Sequence, residues 1–511
     1  MTNVIMITID SLNKHFLNAY GQSVDIDVKT PNLDRFAAKS AVFDRHYCGS
    51  LPCMPARREM YTGIQEFLWR GWGPVEPYDV PIARAASRNG YVTQFISDQF
   101  HFFQGYSHGY YDDYRGFDLV RGHELDPWKT GPLGEADQGF LRKINYNPNQ
   151  SGPFDRSAYA RNVRGFSKEE DFFAPKVFTS AADWLEQNHS HEKFMLVVDS
   201  FDVHEPFHNP DHYAERYTEE DIHDPDLPMW AHSGRTDTGH TALSDRQISF
   251  IRSQYAAKMS LVDKWLGKVF DKLDEHGLWD RTMVIITSDH GHYLGDKNLI
   301  GKPFCNTYNV LANIPLLIWH PKGAHNGGRV SALTATIDFY STILDAMNID
   351  ISHKVHSRSL LPILLGQREK VRDWALYGYF GQAVNITDGK HTYHVAPEDD
   401  VPVFNYSTMY MNPAAFFLPG YVPDEVESGK FLPYTDATVW KYEVKIPPEF
   451  KKYMRGGFAT ELYDVENDPR QEDNRIDKSP ELLGRMRDLL HTALSELQAP
   501  PELFHRMGFT R

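Results

Sequence analysis

Cysteine is the scarcest chemistry in this chain: three residues, Cys48, Cys53 and Cys305, among 511. So few cannot form the disulfide framework of a small secreted fold. Long apolar runs are also missing, and nothing approaches the ~18 consecutive residues of a membrane-spanning helix, so no membrane partner is expected. Positive charge is in deficit, with 53 Lys and Arg against 69 Asp and Glu and a formal net charge of −16. That balance argues against a nucleic-acid or anionic-lipid partner, and an anionic ligand must be drawn by a local cationic pocket. There is no internal repeat. The opening MTNVIMITID has no basic n-region, and its short apolar run stops at Asp10. No secretory leader is expected, and a cytoplasmic protein with reduced thiols is the reading.

What is present is an ordinary globular composition, 41% hydrophobic and 24% charged. At roughly 150 residues per domain the length allows two or three domains. Val4 to Ile9 is a compact β-branched segment followed at once by an acid, the pattern of a buried parallel strand with Asp10 at its carboxyl end. Similar segments recur at Phe194–Asp199, Met283–Ser288 and Ile314–Trp319. Between the second and third, residues 247–275 place Ile251, Tyr255, Met259, Val262, Leu266, Val269, Phe270 and Leu273 on one helical stripe, and Gly277 ends it. Alternating strands and helices predict an α/β fold with a large, mainly parallel sheet flanked by helices over residues 1–370. From 371 to 511 the texture changes to a smaller α+β domain with an antiparallel sheet. There VNITDGKHTYHV predicts a hairpin turning at Asp388-Gly389, and Pro480 to Leu497 predicts a final helix. Two aperiodic stretches rich in Gly, Pro, Tyr and Phe, 104–170 and 396–440, are expected to be long loops that shape a binding site or a contact between copies of the chain, a homo-oligomer.

Three clusters end or follow predicted strands: Asp10 with Ser11; Asp202, His204 and His208; and Asp289, His290 and His292. Ligand sites in open α/β sheets gather at that edge, and carboxylates with an imidazole suit a divalent cation. An Asp after a strand is by itself more often a helix cap, so the SDHG turn carries more weight than Asp10.

The stretch LPCMPARREMYTG, residues 51–63, connects these clusters. It resembles the sulfatase signature C-x-P-S/A-R-x-x-x-L/M-x-T-G, and Cys53, Pro55, Ala56, Arg57, Met60, Thr62 and Gly63 all fall on it. TPNLDRFA at 30–37, the segment from 260 to 291, SLLPILLG at 359–366 and ELYDVENDP at 461–469 look like sulfatase segments in sulfatase order. The resemblance is to the type I, formylglycine-dependent sulfatases of the alkaline phosphatase superfamily and implies their fold. It implies that Cys53 is oxidised to formylglycine by a separate maturation enzyme. The hydrated aldehyde would attack sulfur with one hydroxyl and expel sulfate by means of the other. It implies a shell of Asp10, Asp289, His290 and residue 53 around calcium, with manganese or magnesium as the fallback. It also gives Arg57 the role of holding the formylglycine and nearby anionic oxygens, Lys302 that of binding sulfate, and His204 that of protonating the leaving oxygen.

Two departures stand out. Many sulfatases carry a second aspartate after the first, where this chain has Ser11, and whether Ser11 coordinates stays open. Many also carry G-K-W-H, where GYVTQFISDQFHFF puts Asp98 in place of the lysine and His101 one residue beyond the histidine. His101 is expected to act as base in sulfate elimination, with Asp98 orienting it or contacting substrate. Trp69, Arg70 and Trp72 either wall the pocket or belong to the core, and Cys48 and Cys305 read as small buried residues. The expected activity is hydrolysis of a small anionic ester, a sulfated sugar or an aryl or alkyl sulfate. The alternatives are a formylglycine-dependent phosphonate monoester or phosphodiester hydrolase, and a non-catalytic oxyanion-binding protein.

Overall fold

The structure is a computed structural model that describes residues 2–104, 107–145, 156–398, 401–410, 422–444 and 457–509. Among these residues the main sheet has eight strands. Their order is Arg329–Ala335, Ala41–Tyr47, Leu316–Trp319, Thr282–Thr287, Asn3–Ile9, Phe194–Ser200, Val92–Ser97 and Gly116–Leu119. Asn3–Ile9 lies at the centre, in parallel register with Phe194–Ser200 on one side and Thr282–Thr287 on the other. Its side chains alternate into two cores. Ile5, Ile7 and Ile9 pack toward the helices Asp245–Glu275 and Phe173–Asn188, and Val4 and Met6 toward Cys53–Thr62, Ile82–Arg88 and Asp338–Ala346. Burial on both faces is why the strand reads as an unbroken apolar run.

The expected mainly parallel sheet is present with one exception. Leu316–Trp319 runs antiparallel to both neighbours. The chain leaves Thr282–Thr287 at the carboxyl edge and builds two short strands there, Tyr293–Leu294 and Leu299–Gly301. It then re-enters the sheet from that same edge.

The long helix runs from Asp245 to Glu275, starting two residues before the expected position. Ser244 and Gln247 form a capping box at its start, and Gly277 lies just past its end with φ 58°. The expected hairpin joins Val384–Thr387 to His391–Val395. Asp388 accepts the backbone N–H groups of Lys390 and His391, and Gly389 takes φ 87°. This hairpin belongs to a five-stranded sheet with Glu461–Asp464 and Ala375–Tyr379, and its last member is Ser50–Leu51. Residues 371–511 are thus tied by a parallel pairing to the residues just before Cys53. The final helix, Pro480–Glu496, covers this sheet with Met486, Leu490 and Leu494.

The aperiodic stretches are not simply loops. The first contains the strand Gly116–Leu119 and the helices Gln138–Ile144 and Ser157–Val163, with residues 105–106 and 146–155 outside the described set. The second contains Phe404–Ser407, Glu427–Gly429 and Val439–Glu443, paired in a small antiparallel sheet, with 399–400 and 411–421 outside it. Among the described residues no helix is long and apolar enough to cross a membrane.

Candidate active site

Cys53 opens the helix Cys53–Thr62, every residue of which is buried. That places its Sγ beside the first turn, where unpaired N–H groups favour negative charge. Facing it are the residues that end the central strands. Ligand atoms of Asp10, Cys53, Asp289 and His290 all lie within 4.8 Å of one another. The four residues expected to hold a metal are thus brought together from three distant parts of the chain.

Hydrogen bonds hold this cluster from behind. The Tyr255 hydroxyl, from the long helix, accepts Asn13 N–H at 2.7 Å and donates to Ser11 C=O at 2.8 Å. Asn13 pairs with the backbone of His292 through both side-chain atoms, at 2.9 and 2.7 Å. Gly291 has no room for a side chain: a Cβ there would sit 2.0 Å from Val310 C=O. The glycine of the SDHG turn is thus required by packing.

His290 Nδ1 donates to Gly291 C=O at 2.8 Å, so the neutral imidazole presents the lone pair of Nε2 to Cys53 Sγ, 3.3 Å away, and to Asp289. Burial holds His290 down at about 4. A neutral imidazole with its tautomer set by a carbonyl is the form that ligates a cation. Burial, reinforced by the Asp289 charge, pushes the Asp10 carboxyl well up, whereas Asp289 stays low despite burial because the Arg57 guanidinium and the Ser11 N–H favour its charge. Such a donor set suits a divalent cation. The Ser11 hydroxyl donates to Asp10 Oδ1 at 2.8 Å, and its N–H to Asp289 Oδ1 at 3.1 Å, so Ser11 steadies the two acids.

Arg57 is fully buried, and all five of its N–H groups are committed. Nε and Nη2 clamp Asp199 at 2.7 Å each, Nη2 also reaches Asp10 at 3.0 Å, and Nη1 meets Asp289 at 2.6 Å and Cys53 C=O at 3.2 Å. Arg57 is expected to hold residue 53 and nearby anionic oxygens; it contacts Cys53 C=O and the carboxylates of Asp10, Asp199 and Asp289, and so clamps three strand-end acids to the helix carrying Cys53. Asp199, the penultimate residue of the strand Phe194–Ser200, is not among the site residues expected from the sequence.

On the far side, Lys302 Nζ lies 2.9 Å from His204 Nε2. His204 Nδ1 donates to Glu205 C=O at 2.6 Å, and its ring stacks on Phe201 with centroids 4.1 Å apart. Burial drives His204 well down, while Glu205, Cys53 and Asp10 hold the buried Lys302 up. The proton of this pair therefore rests on Lys302. Glu205, also missed from the sequence, touches both.

The other candidates are held by contacts of their own. His101 Nδ1 meets Gln104 Oε1 at 2.7 Å, and its Nε2 lies 3.1 Å from Glu124. Asp98 accepts Phe201 N–H at 2.7 Å and belongs to a separate buried group with His123 and Asp202. Asp202 is held there by His123 at 2.9 Å and by Lys258. His208 sits among Phe140, Phe166 and Phe172. Trp69 packs on His356 and Tyr434 in the carboxy-terminal core, and Arg70 pairs with Glu66 and Glu76. Trp72 lies edge-on to His101, with ring centroids 4.8 Å apart. Cys48 and Cys305 are buried and unpaired.

The carboxyl edge of the sheet thus gathers two acids, an imidazole and a helix-opening cysteine. The fold matches phosphonate monoester hydrolase of Agrobacterium radiobacter at a TM-score of 0.63, with 20% identity, 98% of this chain and 96% of that one covered. In sequence the chain is 28% identical over 428 residues to the multifunctional alkaline phosphatase superfamily protein PehA of Trinickia caryophylli (73% of this chain, 78% of that protein). It is 22% identical over 421 residues to arylsulfatase K of Xenopus laevis (76% and 72%). The family profile described as Sulfatase matches residues 2–349. The chain belongs to the sulfatase family.

Proposed function

We propose that this protein hydrolyses a sulfate monoester of a small alcohol, a sulfated sugar or an aryl or alkyl sulfate, to the alcohol and inorganic sulfate, with formylglycine made from Cys53 as nucleophile. The observation that carries the reading is the convergence of Cys53, Asp10, Asp289 and His290 within 4.8 Å. An unmodified Cys53 suits the task poorly, because burial and the charges of Asp10 and Asp289 push its thiol well up and away from the nucleophilic thiolate. A hydrated formylglycine would supply two hydroxyls on one carbon, one for attack and one for expelling sulfate.

The donor set fits a divalent cation, which would supply positive charge to the transferred group and acidify a hydroxyl. Calcium takes about six to eight oxygens and would rely on water to complete a set of two acids and one imidazole, whereas manganese accepts mixed donors. The chain's own residues do the rest. Arg57 holds the acids in place, Lys302 presents its positive charge to the transferred group, and the Lys302–His204 pair holds a proton for the leaving oxygen. With both nitrogens of His101 engaged, its base role in elimination rests on the sequence alone. Cytoplasmic localisation and a maturation enzyme as partner belong to the same proposal, and the unpaired buried cysteines suit a reducing compartment.

A second reading, hydrolysis of a phosphonate monoester or phosphate diester, is favoured by Ser11, which adds no charge beside Asp10. Peptide mass spectrometry on the segment around Cys53, in protein from a host with a maturation enzyme, tests the nucleophile shared by both readings. Loss of the sulfur with gain of an oxygen is expected. An intact cysteine, in a host that matures another sulfatase, would contradict it.

A further inference from the structure

Glu205 is 7% exposed, and its carboxylate has no role in the chemistry above. Its Oε2 lies 3.2 Å from Lys302 Nζ, 3.3 Å from His204 Nδ1 and 3.4 Å from His292 Nδ1. Arg156 is the other cation close enough to feel it. Burial would discourage its charge, but the Lys302 ammonium against it outweighs that and keeps the carboxyl well below the usual range. A carboxylate is thus seated 3.2 Å from the Lys302 ammonium.

We infer that Glu205 sets the charge selectivity of the site: by cancelling one positive charge at Lys302, it favours an ester whose transferred group carries one negative charge over an ester that carries two. The inference rests on the proposed reading of Lys302 as the contact for that group. Sulfate monoesters, phosphonate monoesters and phosphate diesters carry one charge, whereas phosphate monoesters carry about two above neutral pH. Coulomb energy scales with the product of the charges. At a protein-like dielectric constant, one unit of charge a few ångströms from the anion changes its affinity for a second negative charge by about tenfold or more. Glu205 therefore penalises the dianion twice as heavily as the monoanion. It acts through Lys302 and is a positioning and specificity residue, with no bond made or broken on it.

The test compares the parent with Glu205→Gln and Glu205→Asp on nitrophenyl sulfate, a nitrophenyl phosphonate and nitrophenyl phosphate at about pH 8. The readout is the ratio of kcat/KM for the dianion to that for each monoanion, which partial misfolding does not move. Glu205→Gln should raise the ratio by about tenfold, and Glu205→Asp, which keeps the charge, should stay near the parent. A ratio unchanged in Glu205→Gln would overturn the inference, whatever happens to the absolute rates. Calorimetric binding of benzenesulfonate and phenylphosphonate reads the same discrimination without turnover. A shifted binding ratio in a protein that hydrolyses none of the esters would sink the proposed activity and leave the role of Glu205 standing. Equal binding ratios in parent and Glu205→Gln would sink the inference even in an active enzyme.

Discussion

At the scale of single residues the site divides its labour by environment. His290 and His204 are both buried imidazoles held below their ordinary range, yet they differ in what their second nitrogen meets. His290 turns Nε2 to Cys53 and Asp289, where a cation fits. His204 turns Nε2 to the Lys302 ammonium. Replacing His204 with Ala removes the relay to the leaving oxygen and should lower kcat by about 10²- to 10⁴-fold on an alkyl sulfate. The loss should be far smaller on a nitrophenyl sulfate, whose leaving group needs little protonation. Steady-state rates on the two substrates check this, and equal losses would remove His204 from proton transfer. This part of the site was largely legible in the sequence. Cys53, Asp10, Asp289, His290, His204 and Lys302 sit at strand ends or in a signature whose residue types name their chemistry. Asp199 and Glu205 were not, because their roles exist only through Arg57 and Lys302, which reach them across the fold.

At the scale of elements, the helix Cys53–Thr62 is positioned by buried polar contacts as well as by its apolar side. Glu59 accepts Ser50 N–H and Oγ–H at 2.9 and 2.6 Å, the Gln65 amide at 3.0 Å and the Thr336 hydroxyl at 3.0 Å. It fills the space that a side chain on Gly49 would need. Burial raises its carboxyl to about 7, against the opposing pull of the Ser50 and Thr336 hydrogen bonds. A free glutamate titrates near 4.3, so the folded state prefers the protonated form. The stability it contributes is complete below that unfolded value and is lost as pH rises through about 7, by about 3 kcal/mol in all. Relative to the parent, Glu59→Gln should therefore gain several degrees in Tm between about pH 5 and about pH 8. A Tm difference that stays flat with pH would show that the carboxylate is held comfortably ionised. Elements with strong periodicity, the central strands and the helix Asp245–Glu275, were readable in advance. The strands Ala41–Tyr47 and Val92–Ser97 were not, because Asp44, Arg45 and Gln94 interrupt their apolar faces, and the antiparallel entry of Leu316–Trp319 depends on a loop committed to the site.

At the scale of the whole molecule, Asp10, Asp199 and Asp289 converge on one guanidinium with Cys53 beside them, a buried charge arrangement that is costly unless completed. A cation that binds only the folded chain stabilises it by mass action. Treatment with a chelator should lower both Tm and activity, and manganese or calcium should restore them together. Unchanged Tm in a demonstrably metal-depleted protein would argue against a cation in this shell. The pairing of Ser50–Leu51 with Ala375–Tyr379 makes the carboxy-terminal sheet part of the support for the helix that carries Cys53, a link between distant segments that no local pattern announces.

The most direct test of the central claim is the kcat/KM of protein with a converted Cys53 on an aryl sulfate, set beside an aryl phosphonate monoester at the same pH and beside the Cys53→Ala variant. Sulfate turnover is expected to exceed phosphonate turnover and to disappear in Cys53→Ala. Phosphonate turnover in excess would move the protein to the second reading, and sulfate turnover that survives in Cys53→Ala would contradict the account at its root.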